Sequence, residues 1–434
     1  MDPAPIAGGD VTVGTIWLLL ASALVIFMTP GLAFFYGGLV KAKSVVSMAM
    51  LSFGAMGIVS VLWILYGFNA GYVAGDKTDL IPGVLANPLT AGGGFALSKY
   101  VADGTNNFAF VAFGASFAII TVALVSGAIA DRARFWPWIL FAGLWGSVDY
   151  FLVQGWVWAF AAGKDGANVA TGLVGGKIGA LDWAGGTAVH INAGAAALAL
   201  ALVLGKRKGF SKEMAKPHNV PLVLIGAGIL WFGWFGFNCG ASYGFTPFDF
   251  HLSGLIWINT LVCPAAAMLG WIIVEKFKEG KATAVGAASG AVAGLVAITP
   301  ACAFVTPLWA IVLGLIAGAI CAVAIEFKYK LGFDDSLDVV GIHLVGGIIG
   351  AWYIGFVGIT ADGKGTPLGL FNGGGNADQL IKQLEGSMLV LVYSFVTAFV
   401  IGLLIEKTIG FRVHEDAEIA GLDAHLHEEG YAYE

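Results

Sequence analysis

Apolar runs about 20 residues long recur along the whole chain, each bounded by short loops that carry the glycines, prolines and charges. They fall near 13–35, 44–70, 108–130, 136–157, 184–205, 221–241, 252–274, 283–299, 304–327, 338–359 and 386–406. Each is long enough to cross a hydrocarbon core about 30 Å thick, so the pattern predicts eleven transmembrane helices. The run at 283–299 is the shortest and most glycine-rich, and Pro300 marks its end.

Composition agrees with a lipid solvent. Of 434 residues 58% are hydrophobic and only 12% charged, against about 25% charged in soluble domains. The mean hydropathy is +0.84. This excludes a soluble enzyme or nucleic-acid-binding domain and leaves an all-α polytopic membrane protein. Its 64 glycines recur with Ala and Ser inside the apolar runs, where small residues let helix backbones approach closely. Cys239, Cys263, Cys302 and Cys321 lie in apolar segments without metal-ligand spacing and read as small buried hydrophobes.

Basic residues give the orientation. Of 22 Lys and Arg, sixteen fall in the loops and tail that follow odd-numbered helices and six on the other face. Basic loops stay cytoplasmic, so residues 1–12 are expected outside, 13–407 form the membrane domain, and 408–434 are a cytoplasmic tail. The start, MDPAPIAGGD, lacks the basic n-region of a cleavable signal. Eleven spans divide as five, five and one, and an odd repeat length puts the two halves in opposite topology, as in inverted-repeat transporters.

Two histidines occupy equivalent places in that division: His190 in the fifth run and His343 in the tenth. Ionisable groups at bilayer depth are costly and normally mark a polar path. Counted from Asp182, His190 lies eight residues in, about 12 Å at 1.5 Å per residue; counted from Asp338, His343 lies five in, about 8 Å. The two runs start from opposite faces, so the imidazoles can meet. Three readings are open for such a pair: a self-satisfied structural hydrogen bond, bis-histidine haem ligation, or a hydrogen-bonding rail in a narrow apolar pore. Asp182, at the outer start of its helix, reads as an N-cap rather than a cation ligand.

The strings PGLAFFYGGLV, GAIADRARF, DWAGGTAVHINAG, PHNVPLVLIGAGILWFGWFGFN, GLVAITPACAFV and DDSLDVVGIHLVGGIIG, in this order, closely resemble the ammonium transporter family (Amt/Mep/Rh), on its bacterial Amt branch. The resemblance runs from about residue 11 to the end. It implies a homotrimer with one pore per subunit in the plasma (inner) membrane, no enzyme activity and no cofactor. By position it implies a cation-recruiting Trp158, a stacked pair Phe117 and Phe237 that occludes water and hydrated ions, the twin His190 and His343 below, and a supporting Asp182. A cation over an indole gains roughly 0.5–2 kcal/mol, which suits Trp158 to recruitment.

Two positions depart from the family pattern. Ala241 stands where a serine is expected, with Ser242 one residue later, and Gly114 stands where the better-known pattern has glutamine. A shift of one residue rotates a side chain about 100° on a helix, leaving Ser242 as the candidate hydroxyl. In such a pore a desolvated ammonium gives up its proton more readily, since desolvation lowers an amine pKa by up to 3–5 units, while potassium has none to lose. The tail after Arg412 lacks Lys and Arg and carries Glu415, Asp416, Glu418, Asp423, Glu428, Glu429 and Glu434. Composition reads it as a solvated end; the resemblance implies a segment that packs under the bundle and works with a PII-type signal protein. His414, His425 and His427 form only a weak metal candidate. The alternatives are a Rhesus-type gas channel, disfavoured by Trp158, and an ammonium sensor, which would be expected with a fused kinase or cyclase domain that this sequence lacks.

Overall fold

The computed structural model describes residues 11–103, 108–162, 168–212, 216–242, 247–361, 364–373 and 375–430. The expected external segment 1–12 thus lies largely, and the last tail residues 431–434 wholly, outside the described residues.

Among the described residues ten helices are long and apolar enough to cross a membrane. The run expected at 136–157 is also helical without a break, as Phe135–Trp145, a π turn Gly146–Tyr150 and Phe151–Trp158, but it is not one of those ten. Its five tryptophans, Asp149 and Gln154 dilute the aliphatic content that marks the others. The last helix differs from expectation in the other direction. It starts at Asp378 rather than near 386, because Gln379 and Gln383 interrupt the apolar pattern yet are buried in hydrogen bonds to backbone.

The bundle is wound as two interlocking halves. Val11–Leu39 packs along Val220–Cys239, the first helix of each half, and this is the most extensive helix pair. Glycine makes the approach possible: a Cβ on Gly226 would lie 2.2 Å from the Phe35 backbone nitrogen, closer than atoms pack. Pro247–Glu279 packs against Pro307–Ala324 in the second half, as Val45–Leu62 packs against Phe135–Trp145 in the first. Asp378–Thr408 lies across Asn192–Leu204 and Val345–Val357 and ties the halves together. Apolar chains such as Ile16, Phe53, Phe232 and Val392 remain about half exposed on the outside, as a lipid-facing surface requires. All four cysteines are free and buried.

The tail is docked, not simply solvated. Residues after 410 form two short helices, Glu415–Ala420 and Leu422–His427. The Asp423 carboxylate accepts from the Val46 and Ser47 backbone N–H groups at 3.1 and 2.8 Å, capping Val45–Leu62. Buried Glu418 pairs with Arg412 at 2.7 Å and accepts from the Lys208 N–H at 2.6 Å. The acidic composition conceals this because Asp423 and Glu418 also bond backbone N–H groups, which carry no charge signature.

Candidate functional site

Both histidine helices open the same way. Each begins with a π turn, Gly186–Ile191 and Val340–Leu344, and the histidine lies inside that turn. π turns form wider, rarer rings than α-helix and often occur at functional positions. Each turn starts on a carboxylate. Asp182 accepts from the N–H groups of Gly185, Gly186, Thr187 and Ala188 at 2.7–3.1 Å, and Asp335 accepts from Val340 N–H at 2.7 Å. The inner cap is therefore Asp335, not Asp338. Asp338 instead pairs with Lys328 at 2.6 Å. With Asp335 as reference the offset to the histidine is eight residues in both halves, and a glycine follows four later in both, Gly194 and Gly347.

Those glycines bring the helices together. A Cβ on Gly194 would lie 2.5 Å from the Leu344 backbone nitrogen, and one on Gly347 would lie 2.9 Å from the Gly186 carbonyl and 3.1 Å from His190 Cβ. At this crossing His190 and His343 meet, Nδ1 to Nδ1 at 3.1 Å, both buried. One Nδ1 must donate and the other accept. A neutral ring that donates at Nδ1 has a lone pair at Nε2, and the one that accepts carries its proton there, so the pair offers one acceptor and one donor beyond its own bond. Among the described residues His190 Nε2 has no hydrogen-bond partner.

Above the pair, Phe117 and Phe237 stack with centroids 4.1 Å apart and planes 21° apart. Trp158 meets Phe117 edge-on at 5.8 Å and is fixed by its indole N–H, which donates to the Asp182 carbonyl at 2.9 Å. A narrow cavity below the phenylalanines is lined by both imidazoles, Trp234, and apolar chains such as Leu32, Leu124 and Val292. The fold thus brings Trp158, Phe117, Phe237, His190 and His343 into one column, with Asp182 beside it.

Ser242 joins less directly. It is buried, its hydroxyl bonded to the Cys239 carbonyl at 2.8 Å and to Ser253 Oγ at 2.6 Å, while Ala241 is exposed. Gly114 also has a physical reason: a Cβ there would lie 2.7 Å from Cζ2 of Trp63, whose indole occupies the space a longer side chain would need. Sequence reasoning missed Trp234, stacked on His190 at 5.5 Å and anchored by its N–H to Thr299 Oγ1 at 2.8 Å. The signal was its i, i+3 spacing to Phe237, which puts both on one helix face. Among the described residues no three His, Cys, Asp or Glu groups could hold a metal; His427 instead packs edge-on against Phe135.

Residues 16–433 match the family model described as Ammonium Transporter Family. An ammonium transporter of Mycobacterium tuberculosis is 47% identical over 454 aligned residues, covering 100% of this chain and 93% of that protein. Among solved structures, one named Sensor Amt Protein superposes with a TM-score of 0.83 at 27% identity, covering 95% of this chain and 98% of its own. Saccharomyces cerevisiae Mep2 superposes with a TM-score of 0.80 at 31% identity, covering 93% and 88%.

Proposed function

Since this chain belongs to the ammonium transporter family, we propose that it takes ammonium from water at Trp158, strips it of solvent and of its proton at the Phe117–Phe237 pair, and passes ammonia along His190 and His343. The single observation that carries this reading is the 3.1 Å Nδ1–Nδ1 contact of two buried imidazoles directly below a stacked phenylalanine pair. A hydrated ion is too large for such a column, and potassium has no proton to give up there in order to shed its charge along with its water. Ammonia is small and neutral, and has both a lone pair and N–H donors to match the donor and acceptor on the imidazole pair. The proton left behind has the imidazoles as its nearest titratable carriers.

The functional unit is a homotrimer in the plasma membrane, each subunit with its own pore. The basic face, with Lys206, Lys208, Lys212, Arg412 and the docked tail, lies in the cytoplasm and Trp158 faces outside, which follows from the loop-charge asymmetry. Residues 408–434 form the regulatory segment, and a PII-type protein with a basic element is the partner that its acidic surface suits. Ser242 serves the outer mouth through Ser253 rather than as a lone hydroxyl.

The test is transport of labelled methylammonium into liposomes, with potassium as competitor. His190→Ala and His343→Ala each leave a folded protein with altered rate or selectivity. Unchanged flux and selectivity in both would remove the pair from the path.

A further inference from the structure

The column ends, on the face opposite Trp158, in an open vestibule lined by Phe35, Leu337 and Ile342 near the pore and by charged chains farther out. Its three lysines are all paired: Lys212 and Lys278 with Glu326 at 3.1 and 2.6 Å, and Lys328 with Asp338. The first two pairs are substantially exposed on the lysine side and are worth little. Lys328 differs. Its side chain is only 4% exposed, while that of Asp338, facing the vestibule, is 28% exposed.

The Lys328 ammonium donates to Asp338 Oδ1 at 2.6 Å and to the Asp335 carbonyl at 2.9 Å, and lies 5.3 Å from the Tyr329 ring centroid. A carboxylate, a carbonyl and an aromatic face converging on one N⁺–H group form a cradle for a small monovalent cation. An ε-ammonium differs from ammonium itself by a single alkyl substituent. Asp338 holds its place with φ at +63°, in the left-handed region unusual for a residue other than glycine.

We propose that this cradle is a monovalent-cation site at the exit of the pore and that Lys328 is its built-in occupant, keeping Asp338 from retaining ammonium or potassium there. The inference rests on the conduction path given above. An unpaired carboxylate in a confined vestibule concentrates cations. A tethered ammonium occupies the cradle at a high effective concentration without blocking the route, because it reaches in from the buried side.

The experiment uses the full-length protein in liposomes, with methylammonium uptake measured with and without potassium on both faces, and N-methylglucamine as the replacement cation. Wild type transports and is insensitive to potassium; failure of wild type to transport at all would count against the conduction path instead. Lys328→Met transports but becomes inhibited by potassium several-fold, Lys328→Arg remains insensitive, and Lys328→Met with Asp338→Asn recovers insensitivity. If Lys328→Met does not reach the membrane, Lys328→Gln takes its place in the same comparison. A transporting Lys328 variant as indifferent to potassium as wild type overturns the proposal, as does a double variant as sensitive as the single.

Discussion

The outer and inner histidine helices are built to one plan, carboxylate, π turn, histidine eight residues on and glycine four further, yet the charged groups near the two carboxylates differ. Asp182 is satisfied by four backbone N–H groups, with no cationic side chain bonded to it among the described residues. Around Asp335 lie Lys328, which donates to its carbonyl, and a buried ion cluster in which Arg207 pairs with Asp131 at 3.1 Å and Asp334 at 2.9 Å. Arg132, wholly buried, donates to the carbonyls of Ala128 and Asp334. The Arg207 guanidinium holds the Asp334 carboxyl below its usual range even against the cost of burial. Burial instead pushes Asp335 up to about 6, with Lys328 opposing. One backbone device therefore serves both halves. What differs is the neighbourhood: Asp182 is held by backbone donors alone, whereas Asp335, which accepts from Val340 N–H, has Lys328 on its backbone carbonyl and the Arg207-paired Asp334 beside it in the chain.

The largest expected break in this comparison comes from removing the caps. Asp182→Ala orphans four buried N–H groups that now bond a charged acceptor, each such bond being worth about 1.5–3 kcal/mol, so the protein should lose about 3 kcal/mol or more and accumulate poorly. Asp335→Ala removes fewer and should cost less. Thermal unfolding in detergent ranks the two, and equal losses would erase the asymmetry.

Next in size is the crossing. Gly347→Val drives a side chain into the Gly186 carbonyl and His190 Cβ, and overpacking of this kind costs about 1–3 kcal/mol. It should also change transport by parting the imidazoles. Gly228→Val, where a Cβ meets nothing within 4 Å, is the control and should behave as wild type in both the melt and the flux assay.

At the outer mouth Trp158→Leu keeps apolar bulk and loses the indole face. Half-saturation for ammonium should rise up to about tenfold if about 1.4 kcal/mol of cation–π contact is lost. It also frees the Asp182 carbonyl, so concentration dependence is to be measured beside the melting temperature. An unchanged half-saturation would move recruitment elsewhere.

A further difference is in pH. A carboxylate near 6 when folded and about 4 when unfolded binds more protons in the folded state between those values, so it takes stability away as pH rises from about 4 to 6 and the loss is complete above 6. Asp335→Asn cannot ionise. The stability difference between this variant and wild type should therefore change through that window and be flat above about pH 7. Asp334, lowered by Arg207, has the opposite sign: its contribution is present above its unfolded value and disappears as pH falls through its folded one. A difference between Asp335→Asn and wild type that is constant from pH 4 to 7 would mean that Asp335 titrates as an ordinary carboxylate.

Much of this was legible in the chain itself. Lipid solvent, helical class and the approximate limits of the spans follow from apolar runs, because twenty consecutive apolar residues have few other places to go. The meeting of His190 and His343 was legible too, since charge at bilayer depth is too costly to be incidental. Asp335 was hidden because Asp334, Asp335 and Asp338 crowd one loop, and only backbone geometry says which carboxylate reaches the helix end and which turns to Lys328. Trp234, Trp63 against Gly114 and the Ser242–Ser253 bond were hidden for a related reason: each depends on which side chain from a distant helix fills a given space. Sequence fixes what each segment can bury; the tertiary structure alone decides which partner it is buried against, because packing selects among many chemically equivalent neighbours.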